Sequence, residues 1–497
     1  MKILKLLFAV GALLCGQVLA VKAQDYNVLN YGAVNDTMHL STSGINKAIN
    51  TCYSKGGGRV IIPAGQYKSG TITLKSNVEL YLLRGAVLYA STRPVDFPRQ
   101  QQPAYRSQKD PGGWFALIYA ENASNIGISG YGTIDGQGAH QPVRPELLDG
   151  DRDGRPRNIL LISCKKVNVE NVTMLNAGIW NQHYLNCEDV KVTGIQVFNH
   201  SNRNNDGIDI DGCRRFVLSN SIIDSDDDAI VLKSTGPAGC EDVVVNNCVI
   251  SSFTNALKCG TESTGGFKNI VFSNCTVKPS ISKIKSVFKA PDHGVTAISL
   301  EIVDGGIMDG VNVNNIVIEG TECPIYVRLA NRARKHRDDA SEPPYGQMRN
   351  ISLSNITAYH TGNYASSITG VPGSSIENIS LGNIRIVNKG GLKAGQYLAG
   401  VNLVKEDEKG YPEPTVWKNL PAYGFFIRHV NQISITSCSL GSDLEETRLP
   451  VIAADVNKLF VQHFSIDKAK APPEFGLMQV IQFETPSDHI STKPLSQ

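Results

Sequence analysis

The chain has 497 residues, of which 41% are hydrophobic and 19% charged, and its formal net charge is +2. A chain of this length can bury a large core, and its near neutrality gives no overall field that would attract nucleic acid, so we expect no nucleic-acid partner. Its 46 glycines favour many short strands and turns over long helices.

The first 23 residues have the pattern of a secretory signal peptide. Two lysines precede an apolar stretch that is too short and interrupted to span a membrane, and Val21-Lys22-Ala23 offers a cleavage site. We expect cleavage near Ala23-Gln24 and a periplasmic or secreted protein with no membrane span. Lipid attachment at Cys15 is the alternative, although Leu14 stands where such a site wants a small residue.

One helix is predicted near the start of the mature chain. Hydroxyl residues precede it, Ile45, Ala48, Ile49 and Cys52 share one face, and three glycines from Gly56 end it. We expect this helix to cover the open end of the strand-rich core that follows.

A pattern of two short alternating apolar runs, separated by Asn, Gly or Ser, recurs along the chain. Its copies begin at Ala123, Cys164, Cys187, Cys213, Cys240, Phe267, Met308, Met348, Ile376 and Val430. The steps from Cys164 to Phe267 are 23, 26, 27 and 27 residues, which is too short for a βαβ unit but fits one coil of a parallel β-solenoid. Each copy predicts two short strands joined by a tight bend.

The fold class is therefore predicted to be all-β, a single-stranded parallel β-helix with an N-terminal capping helix. We expect residues 24–497 to form one domain, with a Pro- and Ser-rich tail lying over the surface from about residue 468. The 54-residue step after Ile376 contains Tyr397, Tyr411, Trp417 and Tyr423 and could close one end of a groove.

The cysteines occupy fixed places in the repeat. Residues 164, 187, 213 and 240 share its first position, and residues 248, 275 and 438 share its ninth. A free cysteine is small and frequently buried, so we predict core columns with few disulfides or none, although export would permit disulfides.

Residues 201–230, SNRNNDGIDIDGCRRFVLSNSIIDSDDDAI, hold seven aspartates. Asp206 falls in the turn region before Cys213, and Asp227 and Asp228 fall in the turn region one coil later. The repeat therefore places these carboxyl groups on one side of the solenoid. Asn255 has the same repeat position as Asp228 one coil further on, so we expect the two to stack about 4.8 Å apart.

Adjacent carboxylates repel each other, so keeping Asp227 beside Asp228 requires solvation, a cation or a task in which one stays protonated. Calcium binding and acid/base hydrolysis of a glycosidic bond are two such uses. The apolar run AIVL that follows Asp228 fixes the pair to a strand, which favours preorganised catalysis over a flexible metal loop.

These residues resemble a known family. NNDGIDI from Asn204 is similar to the Asn-Thr-Asp-Gly-Ile-Asp motif of the polygalacturonases, glycoside hydrolase family 28, and DSDDDAIVLKS from Asp224 is similar to their Asp-Asp motif and the following Lys-Ser strand. Segments such as ESTGGFKNIVFSNCTV extend the similarity from about Tyr26 to Asn388. The resemblance implies a right-handed parallel β-helix and an enzyme that needs no metal or organic cofactor.

The resemblance also implies catalytic roles. Asp228 would be the general acid that protonates the departing oxygen, and Asp206 and Asp227 would deprotonate a water on the opposite face, which inverts the anomeric carbon. Such a mechanism wants carboxyl groups roughly 6.5 to 9.5 Å apart and one acid with a raised pKa.

The chain departs from the family at two motifs. Where polygalacturonases have Gly-His-Gly it has Thr254-Asn255-Ala256, and where they have Arg-Ile-Lys it has Ser299-Leu300-Glu301. Glutamate in place of that lysine would repel the carboxylate of a bound galacturonic acid. We therefore expect a pectin-derived or related plant glycan that is not ordinary unsubstituted polygalacturonate.

Side chains predicted to contact the oligo- or polysaccharide substrate are those of Asn204, Trp180, His183, Lys233, Asn255, Lys258, Glu301 and Arg328. An aromatic face could stack on a sugar, whereas core packing is the alternative for a tryptophan. The basic residues could instead supply charge for true galacturonide hydrolysis, with a solvated edge as the alternative. His293 is a candidate to replace the missing histidine.

Two further functions remain open at this point: true galacturonide hydrolysis, and a glycan-binding or otherwise non-hydrolytic β-helix, including a lyase. A lyase would want calcium and a basic residue as base, and the three aspartates speak against it. The sequence does not indicate the sugar, the linkage, endo or exo action, or the oligomeric state.

Overall fold

The computed structural model describes residues 24–100, 115–142, 154–284, 293–467, 470–486 and 490–495. The predicted signal peptide and Cys15 lie outside these residues. In the described part of the chain there are one α-helix and 35 strands, and the strand ladders are parallel. Within the same residues, no helix has the length and apolarity needed to cross a membrane.

Helix α1 (Thr42–Ser54) packs against the first coil. Ile45, Ala48, Ile49 and Cys52 are all buried, which confirms the predicted face. Short 3₁₀ turns occur at Val28–Tyr31, Pro94–Asp96, Gly138–His140, Val401–Leu403 and Pro414–Val416.

The strands follow one another along the solenoid. The coils next to α1 contain β1 (Asp25–Asn27), β2 (Gly58–Ile62), β3 (Gly65–Ser69), β4 (Ile72–Thr73), β5 (Val78–Leu82), β6 (Ala86–Ala90), β7 (Ala116–Glu121), β8 (Ser124–Gly130) and β9 (Thr133–Asp135). The middle coils contain β10 (Arg157–Ile162), β11 (Lys165–Glu170), β12 (Thr173–Leu175), β13 (Gln182–Leu185), β14 (Glu188–Thr193), β15 (Gln196–Asn199), β16 (Ile208–Asp211), β17 (Arg214–Ser219), β18 (Ile222–Ser225), β19 (Ile230–Ser234), β20 (Cys240–Asn246), β21 (Val249–Ser252) and β22 (Asn255–Ser263). The last coils contain β23 (Phe267–Val277), β24 (Gly294–Ile302), β25 (Ile307–Glu319), β26 (Thr321–Leu329), β27 (Gln347–Thr361), β28 (Ser366–Thr369), β29 (Glu377–Asn388), β30 (Ala422–Thr436), β31 (Ser439–Ser442), β32 (Leu449–Gln462), β33 (Ser465–Ile466), β34 (Glu474–Glu484) and β35 (Ser491–Pro494).

Each middle coil contributes one strand to each of three parallel ladders, so the fold is a right-handed parallel β-helix, as the repeats and the resemblance predicted. One ladder carries the acidic residues. This ladder, called the site ladder below, runs through β4, β7, β10, β13, β16, β19, β22, β24, β26, β28, β30 and β32.

The sequence predicted only two strands per coil and missed those of the site ladder. In β14 and β15 buried residues alternate with more exposed ones, which produced the visible pattern. All four residues of β16 are buried, because both of its faces are covered, and its sequence IDID is half acidic. Hydrophobic periodicity therefore gives no signal there.

The cysteines line the core. The ten cysteines in the described residues are buried and free, which confirms the prediction of core columns. Successive cysteines of one column touch, since the backbone N–H of Cys187 donates to Sγ of Cys213 at 3.4 Å.

The C-terminal tail forms two further strands, which the sequence did not predict. Beyond residue 468 the chain adds β34, which pairs in parallel with β32 from Ile452↔Gly476 to Phe460↔Glu484, and then β35. Phe475 is fully buried beneath this last coil. The prolines at 472 and 473 precede the strand and do not interrupt it.

Candidate active site

Three polar residues stack at the start of consecutive strands of the site ladder. Ile208 pairs with Ile230, and Ile230 pairs with Leu257. Asp206, Asp228 and Asn255 each lie two residues before these positions, so they form a column one coil apart. The amide of Asn255 reaches Asp228, with Nδ2 2.7 Å from Oδ1, as the repeat register predicted.

The structure brings Asp206, Asp227 and Asp228 together. One carboxylate oxygen from each lies within 4.8 Å of those from the other two, and Asp206 and Asp228 are only 2% and 4% exposed. These nearest oxygens are closer than the roughly 6.5 to 9.5 Å that we required for an inverting pair. The three carboxyl groups therefore act as one cluster that shares its protons.

Asp228 accepts from neighbouring side chains on both of its carboxylate oxygens. Besides Asn255, the hydroxyl of Thr254 lies 3.1 Å from its Oδ1, and the ammonium of Lys258 lies 3.1 Å from its Oδ2. The Thr254 hydroxyl is equally close to Oδ1 of Asp227, whose other oxygen accepts from Asn204 at 3.4 Å. Asn204, Asn255 and Lys258 thus lie at the carboxyl cluster, as predicted.

The pKa values of the cluster differ from the simple expectation. Burial would raise the pKa of Asp228, but the ammonium of Lys258, that of Lys233 and the Asn255 amide hold it below its ordinary value. Burial and the charge of Asp228 raise the pKa of Asp227 to about 7. Burial, with Asp209 and Asp227, raises the pKa of Asp206 well above its ordinary range. Without substrate, Asp206 and Asp227 therefore hold a proton more readily than Asp228, the expected acid.

Lys233 holds the other side of the cluster. Its ammonium lies 3.9 Å from Asp206, 3.6 Å from Asp209 and 3.5 Å from Glu262. Burial opposes the charge of Lys233, but Glu262 and these aspartates raise its pKa well above the ordinary value. With Lys233 and Lys258 both next to the trio, the site presents two ammonium groups to any divalent cation, which makes it a poor calcium site.

Glu301 lies one coil beyond Lys258, and β22 pairs with β24 through Lys258↔Ser299. It is 1% exposed, its Oε1 accepts from the Ser299 hydroxyl at 2.6 Å, and its Oε2 has no hydrogen-bond partner in the described residues. Burial raises the pKa of Glu301 to about 7 although Lys258 is close. The position is compact, because a Cβ on Gly260 would come within 2.9 Å of the Glu301 Cβ.

Trp180 and His183 pack against charged side chains of the site ladder, and their predicted contacts with a sugar stay predictions. Trp180 is 4% exposed and its ring lies between the guanidinium of Arg157 and the ammonium of Lys233, each 4.7 Å from its centre. His183 is fully buried, with Nε2 3.0 Å from Asp211. Both residues support the cluster from beneath.

The structure also gives Arg328 contacts other than the predicted one with the substrate. It is 2% exposed, and its guanidinium donates to the Thr369 hydroxyl at 3.2 Å and to the backbone carbonyls of Glu406 and Asp407. It also lies 5.0 Å from the ring centre of Trp417. Arg328 therefore anchors a loop rather than a substrate.

That loop, residues 389–421, is called the wall loop below. Its Val401, Val404 and Trp417 pack on Tyr326 and Phe426 of the site ladder. Ser299 pairs with Tyr326, so the covered face continues the column that contains Lys258. The wall loop therefore covers the site ladder on the C-terminal side of the carboxyl cluster.

The tip of the wall loop reaches back to the cluster. The ring of Tyr411, which is 54% exposed, lies 5.8 Å from the ammonium of Lys258 and 6.0 Å from the guanidinium of Arg332. Arg332 in turn pairs with Asp304. The sequence named Tyr411 as a possible groove residue but contained no signal for this contact, because the wall loop lies outside the repeat.

Two further residues, His293 and Glu262, have partners that the sequence did not predict. His293 pairs with Glu322 at 2.9 Å, and its candidacy to replace the missing histidine stays a prediction. Glu262 was missed. It binds Lys233 and Arg334, and the only sequence signal was its place in the site-ladder strand that carries Lys258.

Known proteins are similar to this chain in sequence over part of its length. The sequence profile described as Glycosyl hydrolases family 28 matches residues 52–404. A probable polygalacturonase of Vitis vinifera is 30% identical over 226 residues, 44% of this chain and 45% of that protein. An exo-poly-alpha-D-galacturonosidase of Dickeya chrysanthemi is 28% identical over 250 residues, 41% of each protein. The chain spans less than half the length of these relatives.

Solved structures share the fold. An exopolygalacturonase from Thermotoga maritima superposes with a TM-score of 0.61 at 22% identity, covering 74% of this chain and 88% of that one. A family 28 exopolygalacturonase from Yersinia enterocolitica gives a TM-score of 0.56 at 19% identity, covering 95% and 79%. At these identities the likeness concerns the β-helix alone.

Proposed function

This chain belongs to glycosyl hydrolases family 28 and is a glycoside hydrolase, and from that premise we propose that it inverts the anomeric carbon of a pectin-derived or related plant glycan other than unsubstituted polygalacturonate. The observation that carries this proposal is the buried cluster of three carboxyl groups, whose nearest oxygens lie within 4.8 Å. Such a cluster can hold one proton beside ionised neighbours, as acid/base hydrolysis needs.

In the proposed reaction Asp228 protonates the departing glycosidic oxygen. Asp206 and Asp227 together hold a water molecule, take its proton and direct the hydroxide to the anomeric carbon from the opposite face. Two carboxyl groups on one water leave no carboxylate bonded to the sugar, which favours inversion over a covalent intermediate.

Charge pairing supports the substrate class. The cations nearest the cluster already have carboxylate partners: Lys258 has Asp228, Lys233 has Glu262, and Arg332 has Asp304. A galacturonate carboxylate next to the scissile bond would have to displace one of these partners and would also meet Glu301. A neutral or substituted sugar at that position avoids both costs.

True galacturonide hydrolysis is the second candidate, because Lys258 and Arg332 both lie beside Tyr411 at the mouth of the cleft. A sugar carboxylate that entered between these two cations could bind if Glu301 were protonated. This candidate predicts activity on polygalacturonate that falls above about pH 7, the pKa of Glu301.

We also propose action near one end of the glycan. The wall loop covers the site ladder from Tyr326 onward, and Tyr411 reaches the coil next to the carboxyl cluster. A long chain therefore cannot continue past the scissile bond on that side.

The direct experiment incubates the protein with pectic and other plant oligosaccharides and resolves the products by mass. We expect a saturated sugar from a branched or mixed glycan, and no product when Asp228→Asn replaces the wild type with its thermal stability retained. Rapid cleavage of unsubstituted polygalacturonate would contradict the substrate class, and binding without turnover across the panel would favour a binding module.

The same incubation reports the stereochemistry. Proton NMR of the first minutes of reaction should show the product anomer opposite in configuration to the bond cleaved. Retention of configuration would contradict the water-activating role of Asp206 and Asp227.

A further inference from the structure

We propose that Lys258 is a mobile counter-ion that pairs with Asp228 in the free enzyme and transfers to Glu301 when a substrate binds, so that Asp228 becomes an acid only in the complex. This inference rests on the proposed role of Asp228 as the general acid. It assigns positioning roles to Lys258 and Glu301.

The resting position of Lys258 blocks the acid. Its ammonium lies 3.1 Å from Oδ2 of Asp228, while Asn255 and Thr254 occupy Oδ1. Asp228 therefore has donors on both oxygens and no reason to hold a proton. A glycosidic oxygen that is to receive a proton from Oδ2 must take the place of the ammonium.

Glu301 is the second acceptor within reach. Lys258 pairs in register with Ser299, two residues before Glu301, which puts the two α-carbons about 8 Å apart for strands of ordinary spacing. Both side chains are long. Oε2 of Glu301 has no hydrogen-bond partner in the described residues, and a Cβ on Gly260, in the strand of Lys258, would lie 3.1 Å from it. A buried carboxyl oxygen without a donor therefore points toward the strand that carries the ammonium.

Other charged groups surround the pair without offering Lys258 a closer partner. Asp227 faces Lys258 from the preceding coil, and Asp206 and Lys233 lie near Asp228. Cys259 lies beside Lys258 in β22, Tyr326 and Arg328 stand on the following coil, and Tyr411 and Arg332 come from the loops. Arg328 is held by Thr369 and the wall loop, and Lys233 by Glu262.

The protons balance through the cycle. As the ammonium leaves, Asp228 takes a proton from neighbouring Asp227, and Glu301 releases its proton to solvent as the ammonium arrives. This leaves Asp228 neutral, Asp227 ionised as the base, and an ion pair between Lys258 and Glu301. Hydrolysis then moves the Asp228 proton to the leaving oxygen and a water proton to Asp227, after which Lys258 returns and Glu301 regains a proton from solvent.

The switch explains why glutamate and lysine stand together here. Charge on Asp228 raises the pKa of Asp227, so neutralising Asp228 also helps Asp227 to ionise. One movement of Lys258 thereby prepares both the acid and the base.

The test uses Glu301→Gln, Lys258→Met and the double variant. Glutamine cannot receive the ammonium as an ion pair, so Glu301→Gln should lower kcat about 10-fold or more with little change in KM. Adding Lys258→Met removes the blocking ammonium and should recover most of that loss. The matched control adds Lys258→Met to Glu262→Gln, which changes a partly buried carboxyl beside Lys233. There Lys258→Met should recover none of the activity that Glu262→Gln loses. A Glu301 and Lys258 double variant that is slower than Glu301→Gln alone would overturn the proposal.

A measurement without substrate separates this inference from the proposed function. Carboxyl carbon NMR should show the pKa of Asp228 rising by more than about one unit in Lys258→Met and staying near the wild-type value in Glu301→Gln. If no glycan is cleaved, the proposed function fails while this titration still judges the resting ion pair. An unchanged Asp228 pKa in Lys258→Met would overturn the switch even in an active hydrolase.

Discussion

Asp227, Asp228 and Glu301 are acidic side chains within one cleft, yet their pKa values move in different directions. Burial raises those of Asp227 and Glu301 to about 7, whereas Lys258 and Lys233 hold that of Asp228 low against its own burial. The neighbouring ammonium groups, rather than burial alone, decide which carboxyl group is ionised. Chemical roles in this cleft follow from the positions of two lysines.

The raised pKa of Glu301 has a consequence for stability. Its folded-state pKa exceeds the ordinary value of 4.5, so the folded protein binds more protons than the unfolded chain between about pH 4.5 and 7. The contribution of Glu301 is therefore present at low pH and lost as the pH rises through 7. The change in the free energy of unfolding caused by Glu301→Gln should therefore be more stabilising at pH 8 than at pH 4.5, by up to about 3 kcal/mol.

Thermal unfolding at the two pH values measures this difference. Glu377→Gln, on an exposed side chain, is the control and should leave the pH dependence unchanged. An equal effect of Glu301→Gln at both pH values would show that folding does not raise the pKa of Glu301.

Among the elements, the wall loop depends on a few contacts. Trp417 packs on the site ladder and lies against Arg328, while Leu403 of the same loop is 53% exposed. Trp417→Ala removes the main apolar contact, so we expect the loop to open more often and to be cut faster by added protease. The control variant Leu403→Ala should be digested by the protease at the wild-type rate. Equal digestion of both variants would mean that other contacts hold the loop.

The cysteine columns give a prediction about the strands of the core. Because the ten cysteines in the described residues are free and buried, adding a reductant should change the melting temperature by no more than about 1 °C. A fall of several degrees in the melting temperature would reveal a disulfide and contradict the finding that these cysteines are free.

The sequence predicted two of the three ladders well and the site ladder poorly. Alternation in strands such as β14 and β15 marks one buried face, whereas β16 is buried on both faces and contains Asp209 and Asp211. Repeat register still placed Asn255 beside Asp228, since coil length alone fixes that neighbour. It could not place Trp180, because exposure at a turn depends on which loops cover it.

Contacts between distant parts of the chain account for the remaining differences. The carbonyl groups that hold Arg328 come from the wall loop, 78 and 79 residues further along, and no local pattern links them. The tail forms β34 because Phe475 completes the core of the preceding coil. Such contacts arise only when the coils of the solenoid have stacked on one another.

At the scale of the whole molecule, a cleft closed on one side predicts how a polymer is degraded. Digestion of a long glycan should release short terminal products from the first minutes, while the remaining polymer shrinks slowly. Size-exclusion chromatography over the time course checks this. An early fall in polymer size would show internal cleavage and contradict the proposal that the wall loop blocks one side of the site.

The central claim is that the carboxyl cluster adds water across a glycosidic bond. Digestion in ¹⁸O-labelled water tests it most directly, with the products read by mass and ultraviolet absorbance. The predicted result is a saturated sugar that carries one ¹⁸O at the new reducing end and is absent with Asp228→Asn. An unsaturated, ultraviolet-absorbing product without label would contradict hydrolysis and indicate elimination instead.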